Sequence, residues 1–121
     1  MEQLTKAEEQ VMQVLWKLGP SFVKDLTAAM RAPRPATTTV STIVRILEEK
    51  GFVGHEAFGR SHRYHALVSK EAYSAKSIKR LMRDYFSGSP KELLSFFIER
   101  EKLDADELGS ILKLIKDKRP R

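Results

Sequence analysis

A mainly α fold interrupted by one small β-hairpin is what the order of hydrophobic patterns predicts for this chain of 121 residues. Three observations carry that reading. The stretch from Pro35 to Gly51 has the period of a helix with two contrasting faces, one apolar and one rich in hydroxyls. Two strand-like runs follow it directly, around a connection that contains glycine and arginine. Beyond Val68 only helical patterns remain, and they are heavily loaded with large apolar residues. Helix, stop and basic-tipped hairpin is the order of a winged helix-turn-helix. Residues 1–68 are therefore expected to form that domain, and residues 69–121 a helical dimerisation domain.

In chain order, Thr5-Lys6-Ala7-Glu8 is a capping box that starts the first helix. Its expected buried stripe is Ala7, Val11, Val14, Leu15 and Leu18, and Gly19-Pro20 ends it. A second helix is predicted from Ser21 to Arg31, with Val23, Leu26 and Met30 on one face. The following Ala32-Pro33-Arg34-Pro35 cannot continue it, because proline breaks a helix interior and restricts the residue before it. In the third helix Val40, Ile43, Val44 and Leu47 form the core stripe, and Gly51 supplies the C-terminal stop. The opposite stripe holds Thr38, Ser41, Thr42 and Arg45, with no carboxylate in the first three turns. A helix kept only for solubility is usually laced with Glu and Lys, and short β-branched hydroxyls are poor helix formers. Threonine can bond a phosphate or a base edge and offer its methyl to thymine, and arginine can pair bidentately with guanine. This face suits the DNA major groove.

The hairpin is expected to pair Phe52–Ala57 with Ser61–Leu67 around Phe58-Gly59-Arg60. Arg60 at the tip and Arg63 on the return strand stand where a wing meets the minor groove or the phosphate backbone. His55, His62 and His65 invite a metal reading, but His62 and His65 point to opposite faces of one strand and no cysteine or carboxylate pair completes a ligand set. No metal and no other cofactor is expected. In the tail, Ser69 caps a helix running toward Phe86 that carries Ile78 and Met82. Ser89-Pro90-Lys91-Glu92 starts a second with Leu93, Leu94, Phe97 and Ile98, and Asp104 opens a third with Leu108, Ile111, Leu112 and Ile115. Three short helices cannot easily hide so many apolar groups in an isolated monomer, so these ten residues are expected to form a dimer interface.

Composition narrows the partners. Lys+Arg number 22 against 16 Asp+Glu, and the net charge of +6 favours an anionic partner without separating nucleic acid from a membrane surface. The absence of cysteine excludes a disulfide framework and thiolate metal sites and fits the cytoplasm. Neither an apolar leader nor a membrane-spanning stretch is visible, so direct membrane association is not expected. No nucleophile elbow, glycine-rich phosphate loop or metal-ligand spacing marks an enzyme.

The segments LTKAEEQVMQVLW, TTVSTIVRILEEKGFV and LLSFFIEREKLDADEL, in this order and spacing, resemble the penicillinase and methicillin-resistance repressors (BlaI/MecI type) over nearly the whole chain. The resemblance implies an amino-terminal winged helix-turn-helix, a carboxy-terminal helical dimerisation domain and repression by binding a palindromic double-stranded operator. By position it assigns base or phosphate contact to Thr38, Thr39, Ser41 and Thr42, and backbone contact to Arg60 and Arg63. The best-known members carry an arginine five residues before the helix-ending glycine, where this chain has Ile46, with Arg45 one place earlier. The resemblance also implies a membrane-bound sensor metalloprotease as a partner and regulatory cleavage in the tail. Phe96-Phe97 stands at the matching position, with Phe96 in place of asparagine. The expected function is that of a homodimeric, sequence-specific repressor. The alternative is a winged-helix module whose Thr-rich helix meets a protein, and a steep loss of affinity with salt would favour DNA.

Overall fold

The computed structural model describes residues 2–118 and is mainly helical with one small antiparallel sheet. Helix α1 (Lys6–Leu18) starts at the capping box: Glu8 N–H donates to Thr5 Oγ1 at 3.2 Å, and Thr5 N–H donates to Glu8 Oε1 at 2.8 Å. Its buried face is Glu8, Val11, Met12 and Leu15, with Leu4 just ahead of the helix. Ala7 and Leu18, expected inside, are exposed. Glu8, Val11, Met12 and Leu15 fall at i, i+3, i+4 and i+7, a stripe that leaves Ala7 outside, and both Glu8 carboxylate oxygens accept from Lys50 Nζ at 2.9 Å, while Leu18 is the last residue of the helix.

The second helix is shorter than its hydrophobic pattern predicts. Ser21–Phe22 form a strand, β1, and α2 covers only Val23–Ala28. Phe22 N–H donates to Asp25 Oδ2 at 3.2 Å, which caps α2 two residues late and leaves Ser21 and Phe22 free to join a sheet. At the other end Ala29 and Met30 N–H turn to the Leu26 and Thr27 carbonyls, tightening the helix shut before Arg31.

Helix α3 (Thr37–Glu49) ends in a Schellman motif. Gly51, at φ +84°, donates to the Glu48 carbonyl at 3.0 Å, and Phe52 donates to Leu47 at 2.9 Å. A side chain with a Cβ would resist that φ. The chain then reverses into β2 (Val53–Phe58), shifted one residue from its predicted span, and β3 (Ser61–Ala66), which starts where predicted and ends one residue earlier; Gly59-Arg60 alone join them. Positive φ at Gly59, the first central residue, matches a type II′ hairpin turn. The sheet order is β1-β3-β2, with Ser21 opposite Tyr64 and His55 opposite Tyr64 on the other side. Val40, Val44 and Leu47 of α3 meet Val11, Met12, Leu15, Leu26, Phe52 and Val53 in one core.

Contacts divide the chain between Ser77 and Ile78, inside helix α4 (Lys70–Tyr85), not at Val68. Tyr73 explains the shift. Its ring is buried against Phe52 and Trp16, its hydroxyl donates to Glu9 Oε2 at 2.6 Å, and it accepts from Leu4 N–H at 3.0 Å. The first turns of α4 thus complete the first unit. In the second unit, α5 (Pro90–Glu101) is capped by Ser89 and α6 (Ala105–Lys118) by Asp104, each oxygen accepting from the backbone three residues on. No residue of α5 is buried.

Candidate nucleic-acid interface

Burial of Val40, Val44 and Leu47 fixes the rotation of α3, and so leaves Thr38, Thr39, Thr42 and Arg45 exposed. Ser41 is half-buried, at the edge of this face. Thr42 Oγ1 donates to the Thr38 carbonyl at 3.0 Å, which spends its proton within the helix. What Thr42 offers outward is therefore an acceptor oxygen and a methyl group. Donor and acceptor are not separable here in the sequence, since the choice depends on the rotamer.

The start of α3 differs from those of α1, α4, α5 and α6, and unlike α2, which also lacks a side-chain cap but carries Asp25 in its first turn, it has no acidic residue there. Thr5, Ser69, Ser89 and Asp104 each cap a helix with a side-chain oxygen, whereas Ala36 at the N-cap of α3 has no side chain able to do so. The N–H groups at the front of α3 and the positive end of its dipole are open to an anion, in the manner that suits a DNA phosphate. Ala36, visible in the sequence between Pro35 and Thr37, was the available signal.

Arg60 is exposed at the hairpin turn. Arg63 is differently placed: its guanidinium lies 4.9 Å from the Phe58 ring centroid and 3.7 Å from Glu56 Oε2. Phe22 also packs edge-on against Phe58, so Arg63 braces the sheet face that carries these groups. The other face bears Tyr64, His55 and His62. His55 Nδ1 bonds the Glu48 carboxylate, tying β2 to the last turns of α3, and His62 stacks on His55 with ring centroids 4.1 Å apart. Burial pushes the Tyr64 phenol up, Glu48 adds to that, and the nearby positive charge of Arg45 works against it. The bond to His55 places Glu48 on the side of α3 that meets the wing. His65 lies on the opposite face beside Gly54, where an added Cβ would meet its ring at 2.9 Å. Among the described residues no group of three histidines, cysteines or carboxylates could hold a metal ion.

A helix-turn-helix followed by a hairpin, with an exposed hydroxyl and arginine face on the second helix, defines a winged-helix DNA-binding regulator. Residues 4–117 match the family model described as penicillinase repressor. The chain belongs to that family of transcriptional repressors, which are regulators and not enzymes. It is 22% identical over 117 residues to the methicillin resistance regulatory protein MecI of Mammaliicoccus sciuri, covering 96% of this chain and 95% of that one. Identity to the same-named protein of Staphylococcus aureus strain N315 is 21% over the same coverage. An uncharacterized 16.5 kDa protein of Latilactobacillus sakei is 25% identical over 115 residues, 93% of this chain and 78% of that protein. No helix among the described residues is long and apolar enough to cross a membrane.

Proposed function

We propose that this chain represses transcription as a homodimer by binding a palindromic double-stranded operator, with α3 in the major groove and the β2–β3 wing on the flanking backbone. The observation that carries the reading is the outer face of α3, where Thr38, Thr39, Thr42 and Arg45 stand clear of the core beside an uncapped N-terminus. Thr38 and Thr39 are assigned to the phosphate nearest the helix start, Thr42 and Arg45 to base edges, and Arg60 to the backbone beyond the wing. Ser41 and Arg63 act at the margins, one half-buried and the other holding the wing in shape.

Dimerisation through the tail is supported by its unburied apolar groups. Ile78, Phe96, Leu112 and Ile115 are 51%, 52%, 58% and 51% exposed in the single chain. Leu94 and Phe97 are also exposed, and Met82, Leu93, Ile98, Leu108 and Ile111 are only half-buried. A monomer gains nothing from so many wetted side chains, whereas a second copy would remove them from water. Cleavage between Phe96 and Phe97 by a membrane-bound sensor metalloprotease would divide α5 and release the pair. The cytoplasm is the setting this mechanism requires.

Selection of bound fragments from genomic DNA, followed by fluorescence anisotropy on the winning duplex, tests the proposal. A palindromic consensus should emerge, and affinity should fall by about 10³ between 50 and 200 mM salt if some six phosphates are neutralised. Recovery of no common sequence, or an affinity indifferent to salt, would refute it.

A further inference from the structure

A groove of about 1010 Å³ lies between α1 and the turn that joins α2 to α3, and no residue of α3 lines it. Its floor is apolar: Val14, Trp16 and Met30 pack against the core and are only partly covered. Trp16 Nε1–H donates to the Val68 carbonyl at 2.9 Å, so the indole is fixed and its donor is already used. Pro33 and Pro35 supply a wall of restricted backbone. Three cations, Lys17, Arg31 and Lys70, border this floor, and no carboxylate lines the groove. Among the described residues none of the three forms an ion pair.

We propose that this groove binds a small amphipathic anion, a carboxylate whose apolar body lies on Trp16, Val14 and Met30 and whose charge is met by Lys17, Arg31 and Lys70. The combination of apolar floor and unpaired positive rim selects the ligand class. A neutral apolar molecule would leave the cations unused, and a fully hydrated anion would leave the floor wet. The size of the groove is ample for a chain of about ten carbons. Because Met30 to Pro35 form the connection into α3, an occupant would press on the segment that sets the start of that helix. Neither this ligand nor its binding involves DNA.

Trp16 is the chain's one tryptophan and lines the groove, so intrinsic fluorescence reports occupancy without a label. Titration of the full chain with decanoate below its micelle concentration should give a saturable change in Trp16 emission. Decanol and acetate, which supply the body and the charge separately, should each bind at least about tenfold more weakly, which corresponds to about 1.4 kcal/mol. The double variant Lys17→Ala/Arg31→Ala should weaken decanoate by about tenfold or more while leaving the circular dichroism spectrum unchanged. No saturable response to decanoate overturns the proposal. So does a response that decanol reproduces at the same concentrations, or a response to a polyglutamate peptide in place of decanoate, which would make the groove a protein-docking site.

Discussion

Thr42 presents an acceptor oxygen and a methyl outward, because its proton is held by the Thr38 carbonyl, and its proposed partner is a base edge. Thr42→Val, which keeps a branched side chain and removes the oxygen, should therefore weaken the selected operator by about 1 kcal/mol and leave random DNA unaffected. Equal loss on both duplexes would move Thr42 to the backbone. Arg45→Ala should relax preference at one base pair at a cost of about 1–3 kcal/mol, whereas Arg60→Ala should weaken all sequences alike and flatten the salt dependence by roughly one ion. Binding measured on an operator series at several salt concentrations separates the two. Glu8 belongs to stability. Burial raises its carboxyl, but the hydrogen bonds from Thr5 and Lys50 outweigh that and hold it below the usual value, while Glu8 holds the Lys50 ammonium above its own. A depressed carboxyl stabilises the fold above the unfolded value and loses that contribution as pH falls through the folded one. A raised lysine stabilises below its ordinary value of 10.5 and loses the effect as pH rises through the raised one. Glu8→Ala should cost about 1–3 kcal/mol at pH 7 and remove part of the acid limb of a urea-denaturation profile. An unchanged acid limb would show that the pair does not contribute.

The wing and α3 work as a coupled pair of elements. Glu48 holds His55, His62 stacks on His55, and the opposite face is closed by Arg63 on Phe58. Arg63→Ala should loosen the hairpin without unfolding the core, raising amide exchange in β2 and β3 by an amount equivalent to about 0.5–1 kcal/mol. If exchange there is unchanged and only DNA binding falls, Arg63 is a direct backbone contact after all. The hairpin and α3 were legible in the sequence because each has a strong period and a glycine where φ must be positive, at Gly51 and Gly59. β1 was not. Two residues carry no period, and Ser21–Phe22 become a strand only because β3 lies alongside.

At the scale of the whole molecule the proposed assembly rests on the tail. The purified chain, 13.9 kDa by sequence, should scatter light as a dimer at micromolar concentration, and a monomer there would refute the assigned interface. A fragment ending at Ser77 should be a stable monomer that binds operator far more weakly than the full chain, since it lacks the second linked half-site. A fragment ending at Val68 should be less stable than that one by about 3 kcal/mol or more, because it lacks the buried Tyr73 ring. Equal melting temperatures for the two fragments would deny Tyr73 this role. In the dimer the Phe96-Phe97 bond should resist a nonspecific protease until α5 opens, since cleavage needs a locally extended chain. Early cutting between Lys91 and Glu101 would show that the interface does not protect it.

Local signals in the sequence determined the helices other than α2, the capping oxygens of α1, α4, α5 and α6, the hairpin and the hydroxyl face, because period, N-cap oxygens and glycine are properties of neighbouring residues. The family resemblance rested on the same order of segments. Tertiary packing alone decided that Glu8 turns inward and Ala7 outward, since Lys50 lies 42 positions away. It also joined Tyr73 to Leu4 across 69 positions and thereby carried the first unit into α4. Arg63 and Trp16 received their roles in the same way. Their partners, Glu56 and Phe58 across the hairpin for one and the carbonyl of Val68 for the other, become neighbours only when the chain is folded. Side-chain pairing across long separations depends on rotamers and on which surfaces meet, and neither is written in the pattern of a single segment.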